Sequence, residues 1–289
     1  MNSRKDMHQR FRQTINLLGL VAFLLCPVFM MAPAQKMYAG EDVHSALPSS
    51  SCSEPSFKLT PKQLSTSLWA REIVGKMVGG KAPRQDTQDL DTLYREAAVA
   101  DSKLKQITRN VADCTGGTAV FPPGGGLKGR ERAEEKIEVE LGGDASALLD
   151  IARSSIEYAD VDQVYQALRY IIRQGYEVVR VKDRALKPLS SGFWDIHLNL
   201  RMSNGHIAEL QLHYKEIRQY SIGEGHNRYE RIRGMKARAF RENRPLTHEE
   251  RETIDRLNCE QRQFYQAAFQ RGQKRGEESE PLEANSCIN

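Results

Sequence analysis

Two acidic residues and a series of basic ones are the side chains of this sequence best suited to phosphate chemistry. Asp150 and Glu209 are candidate carboxylates for Mg²⁺, which binds one or two protein carboxylates together with substrate phosphates. Cationic side chains hold a polyphosphate through charge-assisted hydrogen bonds, and a series of them precedes Glu209: Lys128, Arg130, Arg132, Lys136, Arg153, Lys182, Arg184 and Lys187. Because glutamates interleave the first four, a salt-bridged helix face exposed to solvent is the alternative interpretation.

Glu209 lies in a predicted β-hairpin whose two faces differ in polarity. The alternating segments Trp194–Met202 and His206–Tyr214 flank Ser203-Asn204-Gly205, and a three-residue loop with Gly205 in the left-handed region gives one wholly apolar face. The pairs in this register are Leu200 with Ala208, Leu198 with Leu210 and Ile196 with Leu212. The other face then presents Asp195, His197, Asn199, Arg201, Glu209, Gln211 and His213. It is predicted to be a polar site, and the alternative is a simply solvated face.

The elements around this hairpin alternate between helix and strand, which predicts an α/β (α+β) fold class. Charged residues of Leu127–Leu141 indicate a helix, and Asp160–Gln174 is amphipathic, with Gly175 following it as the C-terminal cap. Asp150–Tyr158 indicates a helical turn that leads into a strand, and Tyr176–Val181 indicates a second strand. The final helix is predicted to begin near Thr247, whose spacing to Glu250 fits a capping box.

The segments before residue 127 are predicted to be helical. Residues 60–112 carry two helical patterns, the second of which begins after Asp86 or Asp89. The glycines of Phe121–Gly126 interrupt the pattern and favour a hinge, because no Gly-Lys-Ser/Thr sequence follows a strand as a phosphate-binding loop requires. The predicted organisation is a signal peptide at 1–34, a linker at 35–57, a helical region at 58–120, a mixed domain at 127–240, a C-terminal helix at 245–272 and a flexible tail at 273–289.

The first 34 residues have the layout of a secretory signal. Basic residues through Arg12 precede an apolar run from Leu17 to Met31, and Ala32-Pro33-Ala34 supplies the small residues of a cleavage site. An uncleaved membrane anchor is the alternative, although this run is shorter than a bilayer-spanning helix. The predicted location is therefore periplasmic or secreted. Cleavage would leave Cys52, Cys114, Cys259 and Cys287, which predicts one or two disulfides with three possible full pairings.

The composition excludes several classes of protein. Hydrophobic residues make up 39% and charged residues 28% of the 289 residues, which does not fit a polytopic membrane protein, a collagen-like fibre or a chain disordered throughout. The formal net charge is +4, and four basic residues and Asp6 of the signal segment account for most of it. The remaining chain is nearly neutral, so any surface that binds phosphate must be local.

Six short motifs, in order, resemble the synthetase domain of RelA/SpoT proteins, the (p)ppGpp alarmone synthetases. The resemblance covers residues 127–233 and rests on Leu127–Lys136, Leu149–Arg153, Val181–Asp183, Ser191–His197, Glu209–Leu212 and His226–Tyr229. It implies a nucleotidyltransferase-like fold: a mixed, mainly antiparallel sheet flanked by helices, with helical N-terminal and C-terminal extensions. The hydrolase half of the long family members should show a His-Asp motif, which this chain lacks, so the resemblance implies synthesis alone.

The resemblance also implies roles for single residues. Asp150 matches the Mg²⁺-binding aspartate, and Glu209 matches the glutamate that assists the metal and deprotonates the acceptor hydroxyl. The residues expected to bind ATP phosphates, or phosphates near the acceptor, are Lys128, Arg130, Arg132, Lys136, Arg153 and Lys182. Those expected to bind substrate are Phe193, His197, Gln211, His226 and Tyr229. Phe193 stands in place of a tyrosine that stacks on the acceptor base, His197 and Gln211 match supporting residues of the acceptor pocket, and His226 and Tyr229 fall in the family's closing helix. The implied reaction is Mg²⁺-dependent pyrophosphoryl transfer from ATP to a ribose 3′-hydroxyl of a guanine or adenine nucleotide or of an RNA end.

Two departures from the family pattern concern the nucleotide sites. The arginine after Asp150 stands two places closer than usual, at Arg153, so a strand there would separate it from Asp150 whereas a helical turn would not. Trp194-Asp195 replaces smaller polar residues beside the stacking ring, which leaves the acceptor base open.

Export leaves three interpretations of function. The first is an exported effector enzyme that acts on nucleotides after delivery into another cell. The second is a catalytically inactive module that binds a nucleotide or a protein. The third is a zinc hydrolase that uses His197, His213 and His226, although no H-E-x-x-H or similar ligand spacing occurs.

Overall fold

A computed structural model describes residues 52–278 of the chain. Within this range the helices are α1 (Pro61–Val78), α2 (Leu90–Thr115), α3 (Arg130–Glu140), α4 (Val161–Arg173), α5 (Lys215–Ile222), α6 (Glu224–Arg241) and α7 (His248–Glu278). The strands are β1 (Thr118–Val120), β2 (Arg153–Tyr158), β3 (Val178–Asp183), β4 (Ile196–Arg201) and β5 (Ile207–Tyr214). The predicted signal peptide, most of the predicted linker and residues 279–289 lie outside the described residues.

The five strands form one mixed sheet in the order β1-β2-β5-β4-β3. β2 runs parallel to β5, and the other neighbouring pairs are antiparallel. This mixed, mainly antiparallel sheet with helices before and after it confirms the predicted α+β fold class. The parallel pair is possible because α4, β3 and β4 provide the long connection that two parallel neighbours need.

The β4–β5 hairpin has the predicted register. Ile196 pairs with Leu212, Leu198 with Leu210 and Leu200 with Ala208. Gly205 has φ +86°, a left-handed conformation that glycine adopts without steric cost. The side chains of β4 and β5 therefore alternate as the apolar pattern predicts, with the leucines on one face of the hairpin and Glu209 on the other.

Capping residues place the helices that cover the apolar face. Thr60 and Gln63 form a capping box at the start of α1, the Asp89 side chain caps α2, and the Asp160 side chain caps α4. α1, α2 and α4 pack against this side of the sheet. Leu198, Leu210 and Leu212 are fully buried here, and each such side chain stabilises the fold by about 1.5–3 kcal/mol relative to exposure.

α7 continues beyond the predicted end at residue 272 and reaches Glu278. Gly272 does not end the helix because it lies against the core. A methyl group at this position would come within 2.8 Å of Val161 and 2.9 Å of the Tyr214 ring. α7 packs against α4, α5 and α6. No helix in the described part of the chain combines the length and the apolar character needed to cross a membrane.

A disulfide joins Cys52 to Cys259 across 207 residues of sequence, with the two Cα atoms 5.9 Å apart. It fastens the start of the described chain to α7. The structure thus selects one of the cysteine pairs that the sequence left open, and both cysteines belong to the set predicted to remain after signal cleavage.

Candidate active site

The polar face of the sheet carries ionisable side chains on four adjacent strands. The register places Arg153, Glu209, Asn199 and Arg180 in one row across the sheet. The next row contains Ser155, Gln211, His197 and Lys182. Because alternate residues of a strand point to the same side, these two rows lie on one face. The hairpin parity thus brings the predicted Glu209, Gln211 and His197 together, as expected.

Asp150 lies just before β2 and is held by two lysines. Its Oδ2 accepts hydrogen bonds from Lys128 Nζ at 2.8 Å and from Lys136 Nζ at 2.9 Å. Asp150 is only 7% exposed. Burial acts to raise the pKa of this carboxyl, but the two ammonium groups outweigh it and hold the pKa below its ordinary value. The predicted partners Lys128, Lys136 and Asp150 therefore form one cluster.

Lys128 reaches Asp150 from outside the helix that was predicted to contain it. α3 begins at Arg130, and the backbone N–H of Lys128 instead donates to the carbonyl oxygen of Ile151 at 2.9 Å. This short bridge sets the segment of Lys128 beside the segment of Asp150. Burial lowers the pKa of the Lys128 ammonium, since the charged form loses its hydration.

Glu209 lies beside the Asp150 cluster, and each of its carboxylate oxygens has a partner. Oε1 accepts from Gln211 Nε2 at 2.6 Å, and Oε2 lies 3.2 Å from His197 Nδ1. Burial acts to raise the pKa of Glu209, but the His197 charge and these hydrogen bonds hold it well below its usual range. The Glu209 charge in turn acts to raise the pKa of Asp150, so the two carboxylates interact electrostatically.

His197 is positioned by a second carboxylate, that of Asp195. His197 Nε2 lies 2.6 Å from Asp195 Oδ2, and Asp195 Oδ1 accepts from Arg184 Nη1 at 2.6 Å. Burial disfavours the imidazolium, yet the two flanking carboxylates raise the pKa of His197 to about 9. Both ring nitrogens therefore carry protons at neutral pH, and His197 donates to Asp195 and to Glu209. The sequence placed Asp195 on this face but did not assign it a role, because the family resemblance has no acid there.

The Asp150 cluster fits a magnesium ion in its donor chemistry. Asp150 Oδ1 is buried and has no hydrogen-bond partner among the described residues, so one carboxylate oxygen is open toward a cation. Residues 52–278 contain no group of three His, Cys, Asp or Glu side chains placed to hold a metal by themselves. Mg²⁺ does not need such a group, since substrate phosphates complete its coordination. Glu209 is less open, because both of its oxygens accept hydrogen bonds.

A cavity of about 370 Å³ opens on the polar face next to this network. Its wall includes Ser155, His197 and Gln211 from the sheet, and three arginines, Arg153, Arg184 and Arg218. Rings border it at Phe193, Tyr229 and Tyr265. The volume lies within the range of small-molecule sites, and guanidinium groups beside rings suit a ligand with both anionic and aromatic parts.

Phe193 stands where the stacking ring was predicted, at the edge of the cavity. Arg184 lies over the Phe193 ring at 5.2 Å from its centroid, and the Tyr265 ring meets it edge-on at 5.4 Å. Phe193 is half-buried, so part of the ring faces the cavity. The ring is thus held in place by its neighbours, with the arginine on one side.

Within residues 52–278, neither Arg153 nor Arg218 forms a salt bridge with a carboxylate, whereas many other arginines do. β2 begins at Arg153, so this arginine belongs to a strand. Residues two positions apart in a strand lie on the same face, so the departure from the family pattern, a shift of two positions, keeps the arginine on that face. Arg218 of α5 is half-buried, and its Nε has no partner among the described residues. Burial lowers the pKa of Arg218. No sequence pattern indicated a role for Arg218, because α5 was not predicted as an element.

Several predicted residues lie apart from the Asp150 cluster. Arg130 is exposed and pairs with Asp91 and Glu134, and Arg132 pairs with Glu135 and Glu140. These ion pairs match the alternative interpretation of a salt-bridged helix face. The Tyr229 hydroxyl lies 3.4 Å from Arg132 Nη2. Lys182 is exposed and lies in the same row of the sheet as His197. His226 is exposed on α6 and does not line the cavity.

The three histidines of the zinc interpretation do not converge. His197 and His213 lie on the sheet face, where their Nε2 atoms are engaged with Asp195 and Gln211, whereas His226 is exposed on α6. Burial lowers the pKa of His213 to about 3, so it is neutral. The arrangement gives no support to a zinc site built from these side chains.

Comparison with known proteins finds likenesses among solved structures only. No family model matches the chain, and no curated protein matches it. The structure of the type VI effector Tas1 in complex with its immunity protein is similar, with a TM-score of 0.48 and 20% identity over 66% of this chain and 100% of that chain. Small alarmone synthetase 1 from Bacillus subtilis bound to pppGpp has a TM-score of 0.48 and 14% identity over 66% of this chain and 96% of that chain.

A GTP pyrophosphokinase family protein from Streptococcus pneumoniae is also similar, with a TM-score of 0.43 and 18% identity over 66% of this chain and 96% of that chain. Alarmone synthetases are the family that the sequence motifs resemble. At these identities and TM-scores, the function has to be argued from the side chains of the site.

Proposed function

We propose that this protein transfers a pyrophosphoryl group from ATP to the ribose 3′-hydroxyl of a nucleotide or of an RNA end. The observation that carries the proposal is the Asp150 carboxylate, which is buried beside two lysines, next to the Glu209–His197 pair, and has one oxygen without a partner among residues 52–278. An open carboxylate oxygen among cations suits a metal–polyphosphate complex, and an acid beside it suits removal of a hydroxyl proton. The motif resemblance supports the same class of reaction.

In the proposed step, the 3′-oxygen of the acceptor attacks the β-phosphorus of ATP. A bond forms between these two atoms, the bond from the β-phosphorus to the oxygen bridging to the α-phosphorus breaks, and AMP leaves. The proton of the 3′-hydroxyl passes to Glu209. Such transfers depend on in-line positioning and on neutralisation of the phosphate oxygens, rather than on covalent chemistry by the protein.

The residues of the site divide this work. Lys128 and Lys136 neutralise phosphate charge near Asp150, and Arg153 and Arg218 do so in the cavity. Asp150 would hold Mg²⁺, which supplies charge neutralisation and orientation of the phosphates when bound. His197 and Gln211 orient the Glu209 carboxylate through the hydrogen bonds described above, and Phe193 provides a ring for the acceptor base.

Two carboxylate variants test this proposal directly. Asp150→Asn and Glu209→Gln should each lower the rate of AMP release from ATP by at least about a hundredfold, which is the order of effect for loss of an acid–base group. The assay contains Mg²⁺, labelled ATP and a panel of GDP, ADP and RNA acceptors. Release of AMP that depends on an acceptor is the expected result for the parent protein.

Asp101→Asn is the matched control. Asp101 of α2 is also mostly buried, pairs with Lys105 at 2.5 Å and has a buried Oδ1 without a hydrogen-bond partner among the described residues. Unlike Asp150, it forms no ion pair with Lys128 or Lys136. It should retain the parent activity. An equal loss of activity in Asp101→Asn and Asp150→Asn would contradict a specific role for Asp150.

A catalytically inactive, nucleotide-binding module is the second candidate, and one observation favours it. Both oxygens of Glu209 are already engaged, and the low pKa of Glu209 makes it a weak base in this state. This candidate predicts that nucleotide binds, as measured by calorimetry, without release of AMP for any acceptor in the panel. Catalysis instead requires the acceptor hydroxyl to replace one of these hydrogen bonds.

We further propose that the protein is exported and acts outside the cytoplasm of the cell that makes it, as an effector enzyme. The predicted signal peptide supports export, and a disulfide such as Cys52–Cys259 persists in oxidising compartments. The test is fractionation of cells that express the full chain or a chain without residues 1–34. We expect the full chain in the periplasm or medium, shortened by about the length of the segment removed at the cleavage site.

A further inference from the structure

A buried arginine of α7 holds the β3–β4 loop, which we define as residues 184–195. Arg262 is only 8% exposed. Its Nε and Nη2 both donate to the carbonyl oxygen of Ser190, at 3.1 and 2.8 Å. Ser190 lies between Leu189 and Ser191, which line the cavity, and Phe193 follows three residues after Ser190. Arg262 is thus bonded to the backbone of one wall of the cavity.

The same guanidinium binds the first segment of the described chain. Arg262 Nη1 donates to the carbonyl oxygen of Ser53 at 2.5 Å, and the carbonyl oxygen of Cys52 lies at 3.4 Å. Cys52 is joined by its disulfide to Cys259, which lies about one turn before Arg262 in α7. The disulfide therefore fixes the carbonyl groups that complete the hydrogen bonding of Arg262.

The backbone of the β3–β4 loop lies directly on α7 at Gly192. Gly192 has φ +73°, and a Cβ built there would lie 3.1 Å from Arg262 Cα. The Gly192 N–H donates to the carbonyl oxygen of Leu189 at 2.8 Å, which closes a tight turn around Ser190. Such an approach is open only to glycine, so the loop and the helix are fitted to one another at this point.

We propose that Arg262 is a positioning residue for the acceptor side of the site, and that the Cys52–Cys259 disulfide acts on the site through it. Loss of the N-terminal segment would leave N–H groups of a buried guanidinium unsatisfied, which is costly. Arg262 would then turn toward water and release Ser190, and the wall that carries Phe193 would move. The catalytic consequence rests on the proposed function, whereas the mechanical consequence does not.

Amide hydrogen exchange tests the mechanical consequence without any assay of activity. Arg262→Met keeps a long side chain without the guanidinium, and the double variant Cys52→Ser/Cys259→Ser removes the disulfide. Serine variants are preferred to a reductant because Cys114 is also disulfide-bonded. We expect the amides of residues 189–193 to exchange at least about tenfold faster in both variants than in the parent, as loss of local structure requires.

Two controls on α7 separate positioning from general loss of stability. Arg256→Met changes an arginine of the same helix whose side chain is 60% exposed. Leu257→Ala removes a buried side chain that belongs to a separate apolar cluster with Ile232 and Ile254, which contains no residue of the loop. Exchange at 189–193 should stay within about twofold of the parent in both controls, since neither removes a contact to the loop.

Steady-state kinetics test the catalytic consequence in the same proteins. In Arg262→Met and in the disulfide variant we expect the KM for the acceptor to rise by about tenfold, while the KM for ATP changes by less than about twofold, since only one wall of the cavity moves. A merely structural role would lower the amount of active enzyme and leave both KM values unchanged.

The outcomes are distinct for the two proposals. Unchanged exchange in Arg262→Met, or equally fast exchange in Leu257→Ala, overturns the positioning role whatever the activity. Faster exchange in Arg262→Met with an unchanged acceptor KM overturns the link to the site. Absence of AMP release from the parent protein overturns the proposed function, and the exchange data still decide whether Arg262 and the disulfide position the loop.

Discussion

His197 and His213 are close together on the polar face; His213 is buried and His197 is partly buried, but their protonation states are opposite. The two nitrogens of His197 each face a carboxylate, so its pKa is about 9, whereas His213 Nε2 meets the amide oxygen of Gln211 and its pKa is about 3. Burial alone favours the neutral ring in both cases. The two carboxylates at His197 outweigh burial, whereas at His213 burial outweighs the single Asp195 carboxylate, which lies 3.8 Å from His213 Nδ1. The sequence placed both rings on one face but could not distinguish them.

The raised pKa of His197 predicts a pH dependence of stability. The unfolded value is about 6.5 and the folded value about 9, so the imidazolium contributes fully below pH 6.5, and this contribution is lost as the pH rises through 9. The shift corresponds to an upper limit of about 3 kcal/mol. Urea unfolding at pH 6.5 and pH 9.5 should show this loss in the parent and a much smaller one in His197→Gln. Equal losses would mean that other groups titrate in this range.

Substitution of Arg218 is expected to weaken acceptor binding without lowering the stability of the fold. Arg218→Leu removes a half-buried guanidinium that has no ion pair among the described residues, so the free energy of unfolding should stay the same or increase. Acceptor affinity should fall by about tenfold or more, the effect of one lost charge-assisted hydrogen bond. Calorimetric titration with the acceptor and thermal melts measure the two effects. Arg231→Leu, an exposed position on α6, should change neither quantity.

At the scale of the elements, the apolar pattern was sufficient to predict a strand or helix where one face of that element is buried. The β4–β5 register followed from leucine parity and a glycine loop, and α4 from its buried stripe, because both signals come from local spacing. α5 was not predicted as an element, and α6 was expected only as the closing helix that the family resemblance implies for His226 and Tyr229, since few residues of either helix are buried and their spacing carries little signal. This gap hid Arg218. The continuation of α7 past Gly272 was also missed, because the contact with Tyr214 is not visible in the sequence.

Two helical glycines predict opposite effects of the same substitution. At Gly272 an added methyl group would clash with Val161 and with Tyr214, so Gly272→Ala should destabilise the protein by about 1–3 kcal/mol. At Gly234 of α6 a Cβ would meet no atom within 4 Å, so Gly234→Ala should stabilise it by about 0.4–1 kcal/mol. Urea unfolding of both variants checks this pair. A stable Gly272→Ala would mean that α7 does not pack closely on β5.

At the scale of the whole molecule, the contact between the first described segment and α7 depends on residues far apart in the chain. Gln273 Nε2 donates to the carbonyl oxygen of Lys58 at 3.0 Å and to Gln63 Oε1 at 2.7 Å, and the disulfide lies at the other end of this contact. Cysteine counting allowed three pairings, and only a fold that brings Cys52 within 5.9 Å of Cys259 selects this pair. The signal peptide stays a prediction.

The long closed loop predicts a large effect of the disulfide on stability. Cys52→Ser/Cys259→Ser should lower the free energy of unfolding by about 2–5 kcal/mol, because the unfolded chain regains the entropy that the bond removes. Urea unfolding under non-reducing conditions measures the difference. Equal midpoints for parent and variant would show that the bond does not constrain the unfolded chain.

The distance in sequence between Cys52 and Cys259 also fixes an order of events during folding. A contact between segments more than 200 residues apart closes a long loop, and this closure costs conformational entropy. We therefore expect this contact to form after the local helices and the hairpin. The sheet with Asp150 and Glu209 can assemble first, while the wall with Phe193 waits for the final helix. Under the proposed export, a chain that crosses a membrane from its N-terminus would complete the cavity last, when residues 259–273 have emerged on the far side.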